Sequence, residues 1–150
     1  MVSWAEFEAA APDLAIAGRL LFERGGHGSA LLATVRSDDP PRIHPISIGV
    51  VDGGLFAFIF ASAKLTDLER DGRYALHSHV QLEAPDELMV RGRARIVNDE
   101  TTRGAVITVW SFTPDDTYAL VEFTIESALL GRRGPDEWPP RYSRWTAARP

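Results

Sequence analysis

Cysteine is absent from this 150-residue chain, which excludes disulfides, thiolate metal sites and cysteine nucleophiles. Lysine is nearly absent: among sixteen Lys and Arg residues only Lys64 is a lysine. No stretch approaches the ~20 consecutive apolar residues that a membrane-spanning helix needs, and the N-terminus lacks the basic-then-apolar pattern of a secretory signal. A cytoplasmic protein without a membrane partner is therefore expected. The formal net charge of -5 disfavours broad adhesion to nucleic acid or anionic lipid. What is there is ordinary for a globular domain: 45% hydrophobic and 25% charged residues, enough for one core in a single domain over 1–150.

Ser3 and Glu6 form a capping-box pattern ahead of Trp4 and Phe7, and Leu14, Ala17, Leu20 and Leu21 make an apolar stripe that stops at Gly25-Gly26. Helices are thus expected within 1–26. From Ala30 the rhythm becomes that of strands. "ALLATVR" closes at a turn-rich "SDDPP", and "RIHPISIGVV" reads as one strand with Pro45 at a bulge or a sheet edge. Asp52 and Gly53 signal a hairpin. "LFAFIFA" is apolar on both faces, as in a barrel wall covered by a helix or another subunit. "YALHSHV", "ELMVRGRARIV" and "YALVEFTIESALL" complete the strands, with a helix between the last two, capped by Asn98 or Asp99, whose Val106, Val109 and Trp110 share a side. Residues 131–150 read as an irregular tail. Five or six strands joined mostly by hairpins predict an α+β domain on a small antiparallel barrel.

Several stretches carry candidate chemistry. Ser62, Ala63 and Lys64 follow the doubly apolar strand and open a short helix. Backbone N–H groups, a helix dipole, a hydroxyl and an ammonium together suit a phosphate-sized anion; a plain N-cap beside a solvated lysine is the alternative. In "RIHPIS" backbone groups left out of the ladder near Pro45 can bond a flat polar heterocycle, or the strand simply faces solvent. Arg91, Arg93 and Arg95 share a strand face, either to hold an acidic ligand tail or as a solvated row with partners such as Glu122 or Glu126. His77 and His79 share a face and, with His44, could in principle ligate a metal or haem iron. No carboxylate motif accompanies them, and no metal is expected.

The order of these motifs resembles the pyridoxamine 5'-phosphate oxidase-like, or FMN-binding split-barrel, family. The matching pieces are Leu32 to Val35, Asp38 and Asp39, Pro41 to Pro45, Asp52-Gly53, Ser62 to Lys64, Leu68 to Arg73, "VRGRARIV" and the terminal "SRW". The resemblance implies a six-stranded antiparallel split β-barrel of Greek-key topology with flanking short helices. It also implies a homodimer with a flavin at the subunit interface. Within Ala61, Ser62, Ala63 and Lys64, Ser62 and Lys64 match the positions that bind the cofactor phosphate. His44, Pro45, Ile46 and Ser47 match the edge on which the flavin ring lies, and Trp145, beside Arg144, matches a tail near the partner's cofactor. The function implied is a flavin-dependent oxidoreductase, using FMN or a deazaflavin coenzyme, that exchanges hydride with a small organic substrate; no catalytic side chain is assigned. The alternative is a non-catalytic flavin or haem carrier, with His77 or His79 as haem ligand. Two departures stand out. An Arg-x-His pair for the vitamin phosphate is missing, so oxidation of pyridoxamine phosphate is not expected, and Ser62 stands where many relatives have arginine.

Overall fold

The computed structural model describes residues 1–148. Two helices come first, α1 (Trp4–Ala10) and α2 (Pro12–Phe22). The Ser3 hydroxyl accepts from the Glu6 N–H at 3.3 Å and the Glu6 carboxylate accepts from the Ser3 N–H at 2.7 Å, closing the expected capping box. The strands are β1 (Ser29–Val35), β2 (Pro41–Ser47), β3 (Gly49–Val51), β4 (Gly54–Phe60), β5 (Arg73–His77), β6 (Glu87–Val97), β7 (Tyr118–Arg132) and β8 (Arg141–Thr146). Helix α3 (Ala63–Arg70) follows β4, and α4 (Glu100–Thr108) follows β6.

All strand pairs are antiparallel, in the order β2-β1-β5-β6-β7-β4-β3, with β8 added to β7. The two strands at opposite ends of this order, β2 and β3, are separated in sequence only by Ile48. The sheet must therefore curl until its ends meet, which makes a barrel. The Ile48 N–H donates to the Gly28 carbonyl at 3.0 Å and pins the bend. Beyond it β2 pairs with β1 and β3 with β4, so the wall is split between β2 and β4.

Strand β4 is buried from Gly54 to Ile59. Leu55, Ala57 and Ile59 enter the main core with Trp4, Phe7, Leu32, Leu88 and Phe123, while Phe56 and Phe58 join Val97, Val106 and Leu120 in a second cluster on the opposite face. Helix α4 supplies Val106 and thereby covers the outer face of β4. Asp99 caps α4, accepting from the Thr102 N–H at 2.7 Å. Gly104 lies inside this helix with nothing within 4 Å of a built Cβ. Gly104→Ala should therefore stabilise the domain by about 0.5–1 kcal/mol, because alanine loses less backbone entropy in a helix; a rise in urea midpoint with an unchanged slope is the expected reading.

The α+β antiparallel barrel is as the sequence predicts, but it has eight strands among the described residues. The 41–51 run divides at Ile48, and 141–146 is a strand where an irregular tail is expected. All of β8 except Trp145 is exposed, so its side chains carry no in-out alternation by which a strand announces itself. Strand β5 ends at His77, leaving His79 outside it, and α4 ends before Val109, which is 65% exposed. No helix among the described residues is long and apolar enough to cross a membrane.

Candidate functional site

The split between β2 and β4 gathers most of the predicted site residues. Strand β4 delivers Phe60 to the surface, and the turn at Ala61 and Ser62 leads into α3. Ser62 holds the N-cap position, with φ -163° and ψ 165°, yet its side chain does not cap the helix. Its hydroxyl donates instead to the Phe60 carbonyl at 2.9 Å. The first-turn N–H groups of α3 are thus left without a side-chain acceptor, and this is the arrangement that favours an external anion. Lys64, half-buried, carries its Nζ 5.0 Å from the centre of the Phe60 ring.

Across the split, Arg42, His44 and Ile46 of β2 are half-buried while Pro41, Ile43, Pro45 and Ser47 are exposed. Because the Ile48 N–H points to β1, alternation turns the N–H groups at even positions of β2 toward β1 and those at odd positions toward the free edge. Both prolines fall on odd positions, where a missing N–H breaks no ladder bond. Pro45 accordingly sits opposite Leu31 in unbroken register, at an edge and without a bulge. The edge presents the main chain of Ile43, Pro45 and Ser47.

Behind this edge is a polar network that the sequence reading missed. Asp67, 6% exposed on α3, accepts from Arg42 Nε and from Thr34 Oγ1, both at 2.9 Å, and Thr34 is itself only 2% exposed. Burial opposes ionisation of Asp67, but the hydrogen bonds from Arg42 and Thr34 outweigh it and hold its pKa below the ordinary carboxylate value. The Nη groups of Arg42 make no hydrogen bond to any described residue. A signal existed in the sequence: Thr34 continues the inward series Ala30 and Leu32, and a hydroxyl at a core position demands a partner.

His44 lies in the field of both cations. Burial lowers its pKa first, and Lys64 and then Arg42 lower it further against the opposing Asp67 carboxylate, so the imidazole is neutral at neutral pH. Its Nε2 is shielded from solvent and has no partner among the described residues. An ammonium, a guanidinium and an uncapped helix thus lie near one strand edge of an otherwise acidic chain. Such a set of donors suits a phosphate-sized anion.

The remaining candidates lie elsewhere. Trp145 of β8 pairs with Ala128 of β7 and packs its ring 4.9 Å from that of Phe7, against the chain's own core. His77 Nδ1 meets the Ser78 carbonyl at 2.6 Å and its Nε2 is 3.4 Å from Glu87, so the histidines do not converge. No metal-sized group of ligands occurs among the described residues. In the arginine row, Arg95 pairs with Glu122, one of the partners expected, and Arg91 Nε donates to Ser127 Oγ at 2.7 Å. Glu126 is left out of that row by the bulge at Arg91 and Gly92.

No protein-family profile matches the sequence, and no curated protein matches it significantly. Solved structures do match in shape. A protein from Clostridium acetobutylicum related to general stress protein 26 and assigned to the pyridoxinephosphate oxidase family superposes with a TM-score of 0.63, at 14% identity over 95% of each chain. The chain has the pyridoxamine 5'-phosphate oxidase-like split-barrel fold. A NimC/NimA family protein from the same organism gives a TM-score of 0.65 at 14% identity, over 89% of this chain and 94% of that one. A haem-binding protein from Mycobacterium smegmatis gives 0.67 at 11% identity over 87% of this chain, which spans only 57% of that protein's length. Proteins of this fold thus include haem binders as well as members of the oxidase family.

Proposed function

We propose that this split-barrel protein is an oxidoreductase that binds FMN, or the related deazaflavin coenzyme, in the cleft between β2 and the β4–α3 junction. The observation that carries the reading is the convergence of Lys64, Arg42 and the uncapped N-terminus of α3 beside the free edge of β2. The donors fit a phosphate, with Arg42 supplying the guanidinium that position 62 lacks, and the unpaired main chain at Pro45 and Ser47 fits the polar rim of a flat ring. When bound, the cofactor supplies hydride transfer to or from a small organic substrate. The chain's own residues bind and orient the ligand.

A homodimer completes the reading. On the outer face of the barrel Leu31, Ala33, Ala75 and Met89 are half-buried and Ile43 is 64% exposed, an apolar patch bordered by His77 and Arg91 that a second copy would cover.

Titration with FMN, riboflavin and the deazaflavin coenzyme tests the proposal. Lys64→Ala should weaken FMN about 10- to 100-fold, the size of one charge-assisted hydrogen bond, while riboflavin affinity and the urea midpoint stay unchanged. If the parent binds neither FMN nor the deazaflavin, the proposal fails. Haem binding is a second reading, supported by the fold shared with the mycobacterial haem-binding protein. Haem reconstitution would then give a Soret band, and its absence rejects this reading.

A further inference from the structure

A cavity opens beside Ser47, between the C-terminal end of α2, strand β3 and the segment after α4. Its volume is about 590 Å³, within the ~300–1,000 Å³ of small-molecule sites. The apolar part of its wall comes from Phe22, Ile48 and Leu55, and Trp110 closes one side. The Trp110 ring is fixed: it stands edge-on to Phe58 at 5.2 Å and lies against Gly49, where a built Cβ would come within 2.9 Å of its Cζ3.

The backbone adds a specific feature. Asp52 and Gly53 have φ of 45° and 78°, so the β3–β4 hairpin turns through two residues in the left-handed region and Val51 and Gly54 form its closing hydrogen-bonded pair. Alternation then directs the N–H and C=O of Val50 away from β4. Strand β3 ends the sheet order, and Val50 lines the cavity, so one adjacent donor and acceptor are offered there by a free sheet edge. The charges of the lining are also legible. Arg19 and Glu23 neutralise one another at 3.0 Å. Asp52 has no hydrogen-bond or ion-pair partner among the described residues, and His27 is the remaining titratable group. The lining therefore offers an anion no unpaired arginine or lysine and sets the exposed Asp52 carboxylate at its rim, in contrast to the cationic groups around His44.

We infer that this cavity is the substrate site, and that it takes an uncharged planar ring bearing an amide-like edge, whose adjacent donor and acceptor pair with the main chain of Val50. The inference deepens the proposed function and rests on it only for calling the occupant a substrate. Ser47 borders both the cleft edge and the cavity, which makes the two sites contiguous.

Benzamide and benzoate test it, since they share ring and shape and differ in an amino group against a second carboxylate oxygen. Each is titrated into the full chain with and without FMN, following the indole N–H resonance of Trp110, assigned with Trp110→Phe. Benzamide should shift that resonance and bind at least about tenfold more tightly than benzoate, as expected where a buried donor-acceptor pair and a carboxylate discriminate. Asp52→Asn should narrow the gap by improving benzoate, and Val50→Pro, which deletes the edge donor, should weaken benzamide. The comparison in the parent needs no variant to fold. Equal or tighter binding of benzoate overturns the inference, as does the absence of any Trp110 shift with benzamide at millimolar concentration. Displacement of benzamide by FMN would also overturn it, by assigning the cavity to the cofactor. Failure of FMN to bind while benzamide binds as described removes the oxidoreductase reading and leaves the cavity chemistry standing.

Discussion

Arg42→Met should destabilise the domain by about 3 kcal/mol at neutral pH, the cost of stranding one member of a buried ion pair. Asp67 is 6% exposed and its carboxylate is held by two donors, of which the Arg42 Nε is the charged one. Methionine keeps much of the aliphatic volume of arginine, so the loss reports the charge and not a cavity. The double variant Arg42→Met with Asp67→Asn should recover most of the loss, because the uncompensated charge is gone. The sign of the pH dependence follows from the depressed pKa of Asp67. A carboxylate whose folded pKa lies below its unfolded value of roughly 3.9 contributes stability above that value and loses it as pH falls through the folded one. Acidification therefore removes the advantage of the parent, and the gap between parent and Arg42→Met should shrink between pH 7 and pH 3.5. Urea unfolding at both values measures it; a gap independent of pH would show that packing and not charge sets the cost.

The same network shows why parts of the site were legible in the sequence and others were not. Lys64 and Ser62 could be picked out because a doubly apolar strand, a serine and the chain's one lysine occur within a few consecutive residues, and local order is what sequence displays. Edge position at Pro45 was legible for a similar reason, since proline reports its own missing donor. Arg42 and Asp67 are 25 residues apart on different elements. Nothing local pairs them, although Thr34 at an inward position of β1 carried a warning that some polar partner must be inside. Ser62 illustrates the converse: residue type predicts an N-cap, and the residue does occupy that position, but its hydroxyl turns back to Phe60. That choice of rotamer leaves the helix end free, and no spacing rule encodes it. The tail was misread because β8 pairs with an extension of β7 beyond the core, where burial no longer imposes a period of two on the sequence. An apolar outer face on β4 demands a cover from a helix or another subunit, and α4 provides one through Val106. The sequence reading placed Val109 and Trp110 on that same helix, yet both lie past its end.

Gly28→Ala should be the most damaging single methyl group that can be added near the site. A built Cβ at Gly28 would lie 2.0 Å from the Ile48 carbonyl oxygen and 3.0 Å from its carbon, both backbone atoms that no rotamer change can move aside. The segment that would have to yield is the bend where β2 becomes β3, held by the Ile48 N–H to Gly28 carbonyl bond and by the burial of the Ile48 side chain to 4% exposure. A forced backbone shift together with a lost hydrogen bond costs about 3 kcal/mol. Gly25→Ala is the control: nothing lies within 4 Å of its built Cβ, and a change within about 0.5 kcal/mol is expected. The damage should also reach function, because the same bend sets the distance between Ser47 on the cleft edge and Val50 in the neighbouring cavity. Gly28→Ala that remains folded should therefore lose FMN and benzamide affinity together, whereas Lys64→Ala loses only FMN. A Gly28→Ala protein as stable as the parent would mean that the close approach of Gly28 to Ile48 is not what holds the barrel at its split.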